Sequence, residues 1–255
     1  MSEAIVVHNA YKHFGRASQP LWKRLIRTDQ ALHTQIDPAP TPAADGVVAL
    51  NRISFNVREG EFFGVVGPSG AGKSTLIRLI AALLRPDDGS ISVFGHDVVY
   101  QATQAQQMLN QVSMETGFFK KLSPVSNLMY AARLYGMTGP ETRSRIIEIL
   151  LRLGLEESAL AQPMEQMERG DQRKVAIARA LLSEPRLLLL DEPTAGLEPH
   201  AKSAVQDVLS ELNQHAGTTI LLTTRDLSEA GALCERVALI ESGNLVATET
   251  LEFAQ

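Results

Sequence analysis

The sequence predicts an α/β fold with a helical segment set into it. Three stretches carry that expectation. Glu61 to Val66 (EFFGVV) is a short apolar run, followed by a glycine-rich turn and then by Leu76, Leu79, Ile80, Leu83 and Leu84 at helical spacing. Leu187 to Leu190 is a second buried-strand run, and it ends in Asp191-Glu192. Between them, from about Leu122 to Glu168, only helical patterns occur.

Composition narrows the field. The 255 residues allow one large domain or two small ones, and an apolar fraction of 44% can fill a core. A net charge of −5 creates no global basic field, so nucleic acid is not an expected partner. The single cysteine, Cys234, excludes an internal disulfide and fits a reducing compartment, with Ala232-Leu233-Cys234 reading as buried. No apolar run reaches the roughly 18–20 residues of a membrane span, and no signal-peptide pattern opens the chain. The chain is therefore expected to be soluble by itself, with any membrane role exercised through a partner.

Taken in order, residues 4–8 (AIVVH) read as a strand and Asn9 to Gly15 as a turn carrying Tyr11 and Phe14. Residues 16–46 hold four prolines and no sustained pattern, the composition of an insertion or linker. Within it, Leu21, Trp22, Leu25 and Ile26 can form one apolar face with Lys23, Arg24 and Arg27 around it. Such a helix suits a membrane surface or a partner helix, or else packs on its own domain. A strand pattern of imperfect period resumes at Val47 through Leu50, Ile53, Phe55 and Val57, and Arg58-Glu59-Gly60 turns the chain. Pro86 to Gly89 reads as a tight turn, Ile91 to Phe94 as a strand, and 101–112 as helix or loop.

Pro124 to Leu134 carries an apolar helical stripe. Gly139-Pro140-Glu141 opens a helix with Ile146, Ile147, Leu150, Leu151 and Leu153 inward, closed by Gly154. Gln172 to Leu182 is predicted helical, as is His200 to Gln214 with Val205, Val208, Leu209 and Leu212 inward. Thr219 to Thr224 and Val237 to Ile240 are predicted strands, with Leu227 to Leu233 helical between them. No internal repeat is visible, so the chain carries one copy of the fold.

The chemistry centres on Gly67-Pro68-Ser69-Gly70-Ala71-Gly72-Lys73-Ser74-Thr75, which matches G-x-x-x-x-G-K-[ST], a phosphate-binding loop. A strand, a glycine turn and a helix start aim N–H groups and the positive end of a helix dipole at one point. Lys73 then reaches the β- and γ-phosphates and the Ser74 hydroxyl ligates Mg²⁺. At the end of the second strand, Asp191 suits a water-mediated hold on the Mg²⁺, and Glu192 can orient and deprotonate an attacking water.

These residues resemble the ATP-binding cassette (ABC) ATPase family over nearly the whole chain. The resemblance rests on Gly67 to Thr75, Ile177-Ala178-Arg179-Ala180-Leu181, Leu187 to Thr194 (LLLLDEPT), Ala195-Gly196-Leu197 and Asp226-Leu227-Ser228-Glu229-Ala230. It implies an α/β P-loop NTPase (RecA-like) core with a mixed sheet, an antiparallel β subdomain and an inserted α-helical subdomain. The implied organisation is a single ABC ATPase domain over 1–255, with 16–46 as insertion and 115–169 as helical subdomain. The implied activity is ATP hydrolysis coupled to transport. The cofactors are ATP and Mg²⁺, and the partners are transmembrane permease subunits and a second cassette, identical or not. The chain would then sit in the cytoplasm, on the inner face of the membrane. An early aromatic stacks on adenine in this family. Phe14 matches that place best and Tyr11 second. Gly60-Glu61-Phe62-Phe63-Gly64 and Leu134-Tyr135-Gly136 are similar to exporter cassettes for drugs, lipids or polysaccharides, and polysaccharide exporters also carry insertions at the early aromatic.

Four positions depart from the family pattern. The signature Leu-Ser-Gly-Gly-Gln falls on Met167-Glu168-Arg169-Gly170-Asp171. Glu168 brings a negative charge towards a partner's γ-phosphate, and two like charges about 5 Å apart at an effective dielectric near 20 repel by roughly 3 kcal/mol. Arg169 can turn to the phosphate or pair with Glu168. The glutamine that senses metal and water falls on Met114, with Glu115 beside it able to bind metal-bound water. The switch histidine is replaced by Arg225, which cannot relay a proton but can clamp a γ-phosphate or pair with Glu192. Glu198 stands where an aspartate is usual. The expectation is intact nucleotide binding with slow turnover. The alternative is a hydrolysis-deficient regulatory or scaffold subunit, or the degenerate half of a mixed pair.

Overall fold

A computed structural model describes residues 2–15, 46–113 and 117–251. In chain order the elements are β1 (Glu3–Gly15), β2 (Gly46–Arg58), β3 (Phe62–Val66), α1 (Lys73–Ile80), β4 (Asp88–Val93), β5 (His96–Asp97), α2 (Ala102–Gln107) and β6 (Leu109–Val112). Then follow α3 (Pro124–Leu134), α4 (Pro140–Arg152), α5 (Arg169–Leu181), β7 (Leu187–Asp191), α6 (Pro199–Ala216), β8 (Thr219–Thr224), α7 (Leu227–Leu233), β9 (Arg236–Glu241) and β10 (Asn244–Thr250). Two short 3₁₀ turns, Glu157–Ala161 and Met164–Gln166, lie between α4 and α5.

The strands form two sheets. One is antiparallel, in the order β2-β1-β4-β5. The other runs β10-β9-β3-β8-β7-β6, parallel throughout except for the antiparallel β10 edge. The fold is thus α/β with a mixed sheet beside an antiparallel one. The central strands β3, β7 and β8 are buried on both faces, which is why β3 and β7 read as nearly unbroken apolar runs and β8 carries Ile220-Leu221-Leu222. Their side chains still alternate. Phe62, Val66, Leu188, Leu190, Ile220 and Leu222 enter one core with α3 to α7. Phe63, Val65, Leu187, Leu189 and Leu221 enter the other, with α1 and the antiparallel sheet. The period of two therefore divides each strand between two layers.

Local chemistry sets several boundaries. Ser123 caps α3 by accepting from the Ser126 N–H at 3.3 Å, and Pro124 stands in its first turn. Gly217, at φ 66°, closes α6 in the left-handed region. Asp226 caps α7, accepting from Ser228 N–H at 2.9 Å. No helix among the described residues is long and apolar enough to cross a membrane.

Several expectations are corrected. Asn9 to Gly15 is not a turn: β1 continues to Gly15 by shifting register between Val7 and Ala10 and beyond. Asn9 takes φ 48° there, and its N–H is held by Ser54 Oγ at 2.8 Å, so the polar residues that suggest a turn mark a bulge. Gly46 is the first residue of β2 rather than the last of an insertion. Residues 109–112 form β6, an edge strand whose Asn110 and Gln111 hide its period. α1 stops at Ile80, and Leu83 is exposed beyond it. On α4, Ile146 and Leu150 are buried, but Ile147 is only partly so and Leu151 is 38% exposed. Val208 and Leu212 on α6 are likewise only partly buried. α5 begins at Arg169 rather than Gln172, and β10 was not anticipated. The proposed basic helix in the 16–46 segment lies outside the described residues, as do Met114 and Glu115.

Candidate functional site

Parallel pairing brings four strand ends to one edge of the mixed sheet. β3 leads into Gly67, β7 into Glu192, β8 into Arg225 and β6 into Ser113. Such an edge is where open α/β sheets place ligands. β8 stands between β3 and β7, and its end anchors both neighbouring loops: Gly67 N–H donates to Thr224 O at 3.3 Å and Glu192 N–H to Thr223 O at 2.9 Å.

A cleft of about 320 Å³ opens at this edge. Ser69, Gly70, Gly72, Lys73, Ser74 and Thr75 line one wall, Glu192 and Arg225 the other, and Val47 and Ala49 of β2 complete it. The loop Gly67–Gly72 needs its glycines. At Gly72, φ is 102° and a Cβ would lie 2.2 Å from Ala49 O. At Gly70, φ is 80° and the space ahead is open. α1 begins at Lys73 with no side-chain cap and no acidic residue in its first turn. Its leading N–H groups therefore face the cleft without a side-chain acceptor, the arrangement that binds anions.

Lys73 is buried, and its Nζ donates to Gly67 O at 2.7 Å and Pro68 O at 2.9 Å. It also lies 3.5 Å from Glu192 Oε1. Glu192 Oε2 accepts from Arg225, Nε at 3.0 Å and Nη2 at 2.9 Å. One carboxylate is thus shared by two cations, and of the two alternatives for Arg225 the ion pair is the one present. Arg225 itself is 53% exposed, so it can leave that pair. Glu192 stands at φ 47°, a strained position for an L residue. Asp191 is buried behind the cleft, accepting from Thr223 Oγ1 at 2.7 Å. Glu229, also buried, accepts from Thr194 Oγ1 and, at 2.6 Å, from Thr224 Oγ1, and so ties the loop after Glu192 to the strand end before Arg225.

The structure gathers most of the expected residues. Gly67, Pro68 and Ala71 form the back of the loop and the remaining loop residues face the cleft. Phe14 does not line it; it pairs across β1 and β2 with Val47, which does. Tyr11 pairs with Asp88, further away. Glu168 precedes the first turn of α5, and Glu168 and Arg169 are both exposed. Among the described ion pairs none joins them. Among the described residues no cluster of three or more His, Cys, Asp or Glu could hold a metal. Val47 and Ala49 are not legible in the sequence as cleft residues, because they reach it through tertiary placement of β2, against β1 and against Gly72. Arg173 was also missed: it donates to main-chain carbonyls, which leave no trace in a motif. Its burial lowers its pKa, and the Asp191 and Glu192 carboxylates pull it back up.

The sequence profile described as ABC transporter matches residues 50–195. The chain belongs to the ABC transporter family. It is 35% identical over 198 residues to the linearmycin resistance ATP-binding protein LnrL of Bacillus subtilis, covering 78% of this chain and 63% of that protein. It is 37% identical over 206 residues to the methionine import ATP-binding protein MetN of Thermobifida fusca, covering 79% of this chain and 64% of that protein. The cassette therefore spans less than two thirds of the length of either relative. A dimeric ATP-binding cassette solved in a post-hydrolysis state with ADP and Pi superposes with TM-score 0.79 at 25% identity, over 97% of this chain and 99% of that one. ABC cassettes as a family are ATPases.

Proposed function

We propose that this chain is the ATP-binding subunit of a transporter, binding Mg-ATP at Gly67–Thr75 and coupling closure of a cassette pair to separate permease subunits. The observation that carries the reading is the uncapped start of α1 facing a cleft with Lys73 and Arg225 on its walls. That donor set fits a polyphosphate: main-chain N–H groups, one ammonium, one guanidinium and the hydroxyls of Ser74 and Thr75. Lys73 holds the β- and γ-phosphates, Ser74 and Asp191 are the residues suited to hold the metal, and Glu115 is the third candidate. A bound Mg²⁺ supplies charge neutralisation between the phosphates. Phe14, beside Val47 at the cleft mouth, is the candidate adenine platform.

Glu192 is the candidate base that orients and deprotonates water. Its pairing with Arg225 and Lys73 supports slow turnover, because Oε2 is taken by the guanidinium and Oε1 lies beside the ammonium, so the carboxylate must leave these partners to orient a water. The same pair favours the second reading, a hydrolysis-deficient regulatory subunit or the degenerate half of a mixed pair. In a mixed pair Glu168 would weaken the partner's site while a normal partner lends its own signature to this one.

A surface beside α3 supports permease docking. Phe119 and Tyr130 meet edge to face at 4.9 Å, and with Leu134, Tyr135 and Arg179 they border a second cleft of about 280 Å³. Leu134 is 76% exposed, so apolar area is left for a partner. An exporter is the direction proposed, on the resemblance of Gly60–Gly64 and Leu134–Gly136 to exporter cassettes. A permease partner would hold the chain on the inner face of the membrane.

Titration with Mg-ATP tests the reading. The unaltered chain is expected to bind, and Lys73→Ala to bind at least about tenfold more weakly, the loss of a charge-assisted contact. Equal affinity would refute it. Turnover is expected to be slow and to vanish in Glu192→Gln; a rate typical of kinases, about 1–100 s⁻¹, would refute the impaired base.

A further inference from the structure

We propose that Arg173 is a positioning residue for Glu192, holding the main chain on which that carboxylate stands and tying it to α5. This rests on the reading of Glu192 as the base. Arg173 lies in the second turn of α5. Its Nη1 donates to Ser113 O at 2.7 Å and its Nη2 to Glu192 O at 3.1 Å. Ser113 directly follows β6 and Glu192 directly follows β7, and these two strands are parallel neighbours. One planar cation therefore bridges two adjacent strand ends. Arginine suits this task because its donors are set in a rigid fork.

The Glu192 main chain needs such a hold. At φ 47° it persists only where its surroundings over-determine it. Its N–H is taken by Thr223 O at 2.9 Å, and its carbonyl accepts from Arg173 Nη2 at 3.1 Å and from the Ala195 N–H at 3.2 Å, so Arg173 is the one side chain of the three that hold it. A return to negative φ, with the N–H kept on Thr223 O, would turn the carbonyl away from Arg173 and swing the carboxylate away from Lys73 and Arg225. Arg173 does not line the cleft, so it acts through Glu192 and not on the nucleotide. Arg169 and Gly170 stand in the first turn of the same helix, so Arg173 is the contact that links that turn to the Glu192 carbonyl.

The experiment compares Arg173→Gln and Arg173→Lys with the unaltered chain. Three measurements are made: Mg-ATP affinity, single-turnover hydrolysis, and hydrogen exchange of segments 109–113, 188–194 and 67–76. Arg173→Gln is expected to leave affinity within about twofold and to cut the hydrolysis rate roughly ten- to a hundredfold. Exchange should quicken at 109–113 and 188–194 but not at 67–76. Arg173→Lys should recover part of the loss by serving one carbonyl. An unchanged hydrolysis rate, unchanged exchange at the two strand ends, or faster exchange throughout the chain would each overturn the proposal. Failure of the unaltered chain to bind Mg-ATP would sink the nucleotide reading instead, and the exchange pattern would still decide for or against Arg173.

Discussion

The two walls of the cleft are held by different forces. Gly67–Thr75 is shaped by main chain: glycines at positive φ, a helix start and hydrogen bonds to β8. The facing wall is shaped by charge, with Glu192 between Lys73 and Arg225. A main-chain cradle binds any polyphosphate that fits and tolerates change in surrounding side chains. A charge cluster instead depends on each member, and one substitution resets it.

The contrast can be broken most forcefully at Gly72. Gly72→Ala should destabilise by roughly 3 kcal/mol, since its Cβ meets main chain at a positive φ. For a chain of this size that is a melting shift of about 6–12 °C, read by calorimetry. A shift under one degree would show that the cradle is not main-chain determined. Next, Glu168→Ser with Arg169→Gly should raise ATP turnover about tenfold by removing repulsion from the facing nucleotide; an unchanged rate would show that the signature does not limit the reaction. Third, Arg225→Gln should raise turnover about fivefold, because a half-exposed ion pair is worth about 1 kcal/mol. A fall would show that Arg225 assists the reaction instead of restraining the base.

The smallest effect concerns Asp226, which caps α7 behind the charged wall. Asp226→Ala should cost about 1 kcal/mol. The hydrogen bond from Lys202 is the main cause that holds the Asp226 pKa below its ordinary value; burial opposes it, and the Ser228 and Glu229 N–H groups lower it further. The folded chain therefore gives up this proton more readily than the unfolded one. That stabilisation is present above the ordinary carboxylate range and is lost as pH falls through the lower folded value. The difference between Asp226→Ala and the unaltered chain should shrink below about pH 4 in thermal melts.

Much of this was legible because it is local. The apolar runs at Phe62–Val66 and Leu187–Asp191, the loop between Gly67 and Thr75 and the burial of Cys234 all follow from neighbours in sequence. β6 was not, because an edge strand bearing Asn110 and Gln111 has no clean period. The extension of β1 was not, because its bulge at Asn9 carries turn-forming residues.

By itself the sequence determined that a phosphate-type loop stands between a strand and a helix, and that two acids end a second buried strand. Those are short-range properties of backbone freedom and apolar spacing. Only the tertiary structure decided that Arg225 spends its charge on Glu192, that Val47 and not Phe14 lines the cleft, and that Arg173 bridges two strand ends. Each of those depends on strand order and register, which bring together residues that chain spacing cannot relate.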